Sequence, residues 1–206
     1  MMRKMFTREG ISRIMLLFSG VFMMSLGIFF FINSQLGSDP ITVLINGLSQ
    51  TIGITVGQTS FLINGGIILL LMIFTGRRFG IGTVLHAVFV GLFLDLLFFL
   101  FGTITPAYMP LRVVMLLTAP LFIGSGIAIY VSAEMGEGAI EALMMFLQDK
   151  TDFSLKAVKV CMDVVFGIVG VILGATFGIG TILGAFAIGP VTQKVFGYVQ
   201  HLKAHN

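Results

Sequence analysis

"FGIGTVLHAVFVGLFLDLLF" (79–98) and "FGIGTILGAFAIGPVTQKVF" (177–196) agree at 9 of 20 positions and share their first five residues. A match of this kind raises the question of whether the flanking sequence recurs as well. It does. A shift of 99 residues lays "RIMLLFSGVFMMSLGIFFFINSQLG" (13–37) on "RVVMLLTAPLFIGSGIAIYVSAEMG" (112–136), so that Arg13 meets Arg112, Gly27 meets Gly126 and Gly37 meets Gly136. Over 13–64 against 112–163 only 8 of 52 positions are identical, a weak signal in apolar sequence, but the order of features is the same in both halves. A one-residue gap then brings the two FGIGT copies into line. We read the chain as a single membrane domain, 1–206, built from two copies of one unit: repeat one at 13–102 and repeat two at 112–199.

Each unit has the same plan. A long apolar span comes first, 14–35 or 113–133. A glycine break follows, "LGSDP" (36–40) or "MGEGA" (135–139), and then a short helix, 40–51 or 139–149. Asp39 suits the N-cap of that helix, with Pro40 at its first position. Two further spans close the unit, 54–74 and 81–102 or 156–174 and 179–198. FGIGT therefore opens the last span of each unit. Gly80, Gly82, Gly178 and Gly180 are expected to serve as packing or hinge positions, where removal of a side chain lets two segments approach. Gly170, Gly174 and Gly178 form a ridge at spacing four that should do the same between helices.

Composition requires lipid. The chain is 57% hydrophobic and 10% charged, with a mean hydropathy of +1.06, whereas soluble domains carry about 25% charged residues. Residues 14–32 hold no charge, and about 20 apolar residues cross a hydrocarbon core of about 30 Å. That first run is longer than a signal-peptide core and is expected to be retained. The lone cysteine, Cys161, excludes an internal disulfide, and no Cys/His metal spacing is present. The pI near 9.2 does not indicate nucleic acid, because the Lys and Arg residues sit at span ends, as insertion requires. There is no phosphate-binding glycine loop, no G-x-S-x-G and no HExxH. An enzyme is thus the least expected class, and no cofactor or metal is implied.

Whether the short helix crosses decides the symmetry. Twelve residues reach about 18 Å, well short of the core, and its apolar positions Ile41, Leu44, Ile45 and Leu48 follow helical spacing opposite Thr42, Asn46 and Ser49. With three spans per unit the copies are inverted, and eleven of the twelve basic residues are cytoplasmic, Arg112 being the exception. The expected fold is therefore an all-α integral membrane protein with six transmembrane helices plus two short non-spanning helices, arranged as two inverted three-span repeats. Both termini would lie in the cytoplasm.

Buried acids are the informative residues, since charge in hydrocarbon is costly. Asp95 lies within the third span; its repeat mate is Gln193, beside Lys194. Asp163 lies within the fifth, with Asn64 as its mate and Lys159 one turn before it. The two could pair, and Asp95 could reach Lys194. His86 is on another face from Asp95 and is the weaker candidate. Asp39 borders one glycine break and Glu134, Glu137 and Glu141 border the other, where broken helices present free N–H groups. The candidate substrate-binding set is Asp39, Asn64, Asp95, Glu137, Glu141 and Asp163.

The segments "LGSDPITVL", "FGIGTVLHAVFVGLFLD" and "GIGTILGAFAIGPV" also resemble the YczE/YyaS/YitT family of uncharacterised bacterial membrane proteins, over about 14–197. The resemblance implies a multi-pass protein of a bacterial inner (cytoplasmic) membrane and supplies no catalytic residues. Together these readings favour a small-molecule transporter using alternating access, its substrate unnamed but cationic or proton-coupled. A substrate-binding subunit of a larger transport complex, or a structural or regulatory membrane protein, remain alternatives. The expected partners are the bilayer, an unidentified small molecule and, as an option, a second copy of the chain.

Overall fold

The computed structural model describes residues 8–76, 79–104 and 106–204. Arg77, Arg78 and the other basic residues of 1–7 lie outside them. The described residues form eight helices and no strand: α1 (Arg8–Ser34), α2 (Pro40–Ile52), α3 (Val56–Thr75), α4 (Ile81–Phe101), α5 (Met109–Val131), α6 (Ala139–Lys150), α7 (Leu155–Ile172) and α8 (Ile179–Ala204). Five of these, α1, α3, α4, α5 and α8, are long and apolar enough to cross a membrane. The expected sixth span, α7, is not among them: its 18 residues carry Lys156, Lys159 and Asp163. Helices α2 and α6 have 13 and 12 residues, about 20 Å at 1.5 Å per residue, and are too short to span.

Local chemistry starts and stops these helices as their residues dictate. Asp39 caps α2, its Oδ2 accepting the Thr42 amide at 3.4 Å, with Pro40 behind it. Thr55 and Gln58 form a reciprocal capping box on α3. Ser154, 99 residues after Thr55, caps α7 through the Ala157 amide at 3.2 Å. The breaks after α1 and α5 share one backbone path. Gln35 and Glu134 are left-handed (φ 56° and 55°), and Gly37 and Gly136 follow at φ 94° and 144°.

Helices α1 and α5 form the centre. Gly20 faces Gly126 and Gly27 faces Ala119, each so closely that a Cβ would strike the opposite carbonyl. Those pairings run in opposite senses along the two chains, so α1 and α5 are antiparallel. Small residues at such crossings let backbones touch, which is how helices associate where water supplies no driving force. Helix α4 lies on the other side of α1: Phe18, Phe22 and Phe29 meet Phe89, Phe93 and Phe98 edge-on at 4.4, 5.4 and 5.0 Å. These contacts advance together, so α1 and α4 are parallel. Helix α8 packs on α5 around Gly124 and Val191. Helix α2 lies on α7, where Gly47 and Gly170 meet the facing backbone, and α6 lies on α3.

The repeated glycines are explained by contacts across the molecule. The Gly82 amide donates to the Met135 carbonyl at 3.0 Å, and the Gly180 amide donates to the Leu36 carbonyl at 2.9 Å. Gly80 and Gly178 lie against those same two carbonyls. Each FGIGT thus seats on the glycine break of the other half. The expected ridge is a different matter. Gly170 packs on Val43 of α2, but Gly174 ends α7 at φ 94° and Gly178 belongs to the turn beyond it, because a left-handed residue stops a helix. At the end of the bundle holding these Met135 contacts, Glu134 also takes Arg13 at 3.7 Å and Lys203 at 3.3 Å. The Lys203 ammonium additionally bonds the Ser132 carbonyl.

Candidate functional site

A cavity of about 160 Å³ sits between the two halves. Its walls are drawn from all eight helices and the Asp39 turn. Most of its lining falls into pairs separated by 99 residues, or by 98 after the gap. The apolar pairs are Met24/Ile123, Ile28/Ile127, Ile41/Ile140, Ile45/Met144 and Val90/Ile188. The others are Thr42/Glu141, Ser60/Lys159, Asn64/Asp163 and His86/Gly184. In these four the first half supplies Thr42, Ser60, Asn64 and His86. The charged members, Glu141, Lys159 and Asp163, all come from the second half, and Asp39 joins them from the first.

Helix breaks deliver two of the acids. Asp39 ends the "LGSDP" turn, and its Cβ rests on Gly184, where any side chain would displace it. Its Oδ2 caps α2, while Oδ1 has no hydrogen-bond partner although the residue is 6% exposed. Glu141 lies in the first turn of α6, near the Tyr130 hydroxyl, and both crowd the space beside Gly138. Burial holds the carboxyls of Asp39 and Glu141 above their ordinary range; neither belongs to a spanning helix. His86 enters from α4 and stacks on Tyr130 at 4.6 Å. It is 3% exposed, and neither ring nitrogen has a partner. Asn64 turns its amide N–H back to the Ser60 carbonyl at 2.8 Å, and Lys159 binds Asp163 at 2.6 Å.

Unfilled acceptors in an enclosed apolar wall carry a cost of about 1–3 kcal/mol each unless something completes them. An ionised carboxylate can only accept, whereas imidazole both donates and accepts. The set can therefore accept N–H donors or offset positive charge, and a cavity of about 150 Å³ has room for a molecule the size of benzene. Among the described residues no three of His, Cys, Asp and Glu converge closely enough to hold a metal ion.

The comparisons with known proteins bear on the whole of this framework. A family model described as "Family of unknown function (DUF6198)" matches residues 11–196. The chain belongs to this family. An uncharacterised protein of Haemophilus influenzae is 30% identical over 169 residues, covering 82% of this chain and 76% of that protein. The uncharacterised membrane protein YczE of Bacillus subtilis is 31% identical over 179 residues, covering 85% and 81%. YyaS of the same organism is 28% identical over 178 residues, covering 86% and 88%. The resemblance to YczE and YyaS read from the sequence is thus borne out, and with it a membrane-embedded chain. No solved structure matches.

Four of the six DUF6198 residues singled out from the sequence line the cavity: Asp39, Asn64, Glu141 and Asp163. Two lie elsewhere. Glu137 sits in the break two residues before α6. Asp95 is in a separate cleft with Gln50, Thr55 and Val56, where its carboxylate accepts the Thr55 hydroxyl at 2.8 Å and the Gly57 amide at 3.0 Å. Its partners are these groups at the start of α3, so the suggested bridge to Lys194 is replaced by an N-terminal cap. His86, ranked below Asp95 in the sequence, is the polar residue α4 sends into the cavity, beside Val90. Nine residues at about 100° each place the two on opposite faces of α4.

Proposed function

We propose that the protein is a small secondary transporter that exchanges an organic cation for protons by alternating access around the cavity between its halves. The observation that carries the reading is the pairing of the cavity walls. Residues equivalent by the repeat meet around one space, and the unsatisfied acid Asp39 and the acid Glu141 face into it.

Helix directions support an inverted arrangement of the repeats. Helices α1 and α5 are repeat mates and run antiparallel. Helices α1 and α4 are parallel, and α3 turns back against α4, which leaves α2 no room for a separate crossing. By the same plan α7 is the sixth span, its Lys159 and Asp163 neutralising each other. Two inverted copies can interchange conformations, opening the centre to one side and then the other. Arg13 and Lys203 meet at one end of the bundle, which agrees with cytoplasmic termini in an inner membrane. Exchange follows from the raised carboxyl ranges: burial makes Asp39 and Glu141 bind protons more readily than free carboxyls, and a cation that pairs with either competes with that proton.

The test uses purified protein in liposomes containing a pH-sensitive dye, with guanidinium, methylammonium, tetramethylammonium and choline as probes. An inward gradient of at least one of them should alkalinise the lumen, and Glu141→Gln should abolish the signal. Folded protein that neither binds nor exchanges any of the four would overturn the reading.

A further inference from the structure

The packing of the two halves departs from symmetry at one place. In the first half α3 and α4 close on each other at Gly57 and Gly91, so tightly that either Cβ would strike the other carbonyl, and Asp95 fastens the contact. The equivalent positions in the second half are Lys156 and Gly189. A Cβ on Gly189 would meet nothing within 4 Å, and α7 and α8 do not pack along their length. A cleft of about 510 Å³ lies between them instead. Its walls include Val164, Gly167, Ile168, Ile182, Ala185 and Phe186. Several of these are exposed on the outer face of the bundle, and with α7 as the sixth span of the proposed arrangement the cleft faces lipid. Its inner end is Asp163, which also lines the central cavity.

We infer that this cleft is a binding site for the apolar body of an amphiphilic cation, which enters from the bilayer and presents its charged head to Asp163 and the acids behind it. The proposal rests on the transporter reading and adds to it the substrate class. The size falls in the range of about 300–1,000 Å³ typical of small-molecule sites. Charge complementarity selects the head group: among the described residues Asp163 is the one ionisable side chain lining the cleft and is paired with Lys159, so the excess acid lies just behind it, in Asp39 and Glu141 of the adjoining cavity. The independent sign of a ligand is the unpartnered Asp39 Oδ1 and His86 ring, both more than nine-tenths buried in the cavity the cleft leads to. A slot on the face where hydrocarbon lies admits a tail without exposing it to water.

The test compares methylammonium with octylammonium, which share a head group and differ only in tail, on protein in nanodiscs with empty discs subtracted. Octylammonium should bind at least tenfold more tightly. Gly167→Phe should remove that advantage and leave methylammonium unchanged, since a side chain at Gly167 meets no neighbour within 4 Å and projects into open space. Ala185→Phe provides a second obstruction should the first variant fail to fold. Loss of the tail advantage in either folded variant supports the site. A wild type that binds both ammoniums equally, an advantage that survives both obstructions, or octanol binding as tightly as octylammonium overturns it while leaving the transporter reading intact. Disulfide-linked dimers formed through Ile168→Cys, in a Cys161→Ser background, would also overturn it by making the cleft a contact between copies. Failure of the wild type to bind any ammonium would sink both proposals.

Discussion

The Asp95 carboxylate closes on the Thr55 hydroxyl at 2.8 Å and, through its other oxygen, on the Gly57 amide at 3.0 Å. An acid at the start of α3 satisfies one of the free amides there and complements the helix dipole. Its task is to hold α3 against α4.

Asp95→Ala should therefore lower stability by about 1.5–3 kcal/mol, the range for losing a hydrogen bond to a charged group. Asp95→Asn keeps an acceptor and should lose less. Thermal unfolding in detergent gives the comparison, and methylammonium binding should be unchanged in both variants. A variant that melts like the wild type yet no longer binds would return Asp95 to the site.

Glycines at the two kinds of position should respond in opposite ways. In an exposed helix Gly→Ala gains about 1 kcal/mol, and a Cβ at Gly66 meets nothing within 4 Å, so Gly66→Ala should raise the melting temperature or leave it unchanged. At Gly82 the same Cβ would stand 2.6 Å from Met135 Cβ, and at Gly180 it would stand 2.7 Å from the Gly37 carbonyl carbon. Gly82→Ala and Gly180→Ala should both lower it. Equal behaviour of all three would mean that the crossed glycine contacts contribute nothing to stability.

The raised carboxyls of Asp39 and Glu141 set a pH dependence. Folding favours their protonated forms, so the stability they contribute is complete at pH values below the ordinary carboxylate range. It is lost as pH rises through their folded values. The melting temperature of the cation-free protein should fall with rising pH in that interval, and Asp39→Asn with Glu141→Gln should flatten the slope. Cation affinity should move the other way, strengthening as the carboxyls ionise. A melting curve that rises across the interval would contradict the assignment.

Topology can be read with single cysteines in a Cys161→Ser background. Tyr108→Cys, at the start of α5, should label with an impermeant reagent in intact cells. Asp149→Cys, at the end of α6, should label only after permeabilisation. Labelling of both from outside would refute an inverted pair of repeats with cytoplasmic termini.

Much of the framework could be read from the residues because its signals are local. Asp39–Pro40 marks the start of α2, and the Gly37 and Gly136 breaks mark where long helices must end. The partner of each FGIGT was hidden, because Gly82 meets Met135 and Gly180 meets Leu36 through chain separations that no local pattern encodes. The separate surroundings of Asp95 and His86 were hidden for a related reason. The cost of burying a charge identifies a residue that needs a partner, but it does not say whether that partner is a ligand or a helix end. The spacing to Gly91, one turn before Asp95 on the same face, was the available clue that this side of α4 faced α3. Nor could spacing anticipate that α7 and α8 stay apart where α3 and α4 close.

The crossed seating of the glycine turns has a consequence for biogenesis. The carbonyl of Leu36, near the beginning of the chain, finds its donor only at Gly180, near the end. While the ribosome is still synthesising the second half, the first glycine break has no completing amide, and α1 has no α5 to lie against. A chain halted before Phe177 would leave the Leu36 carbonyl without that donor, an unsatisfied backbone group that is costly away from water. Final closure of the first half is thus timed by the arrival of the last helix.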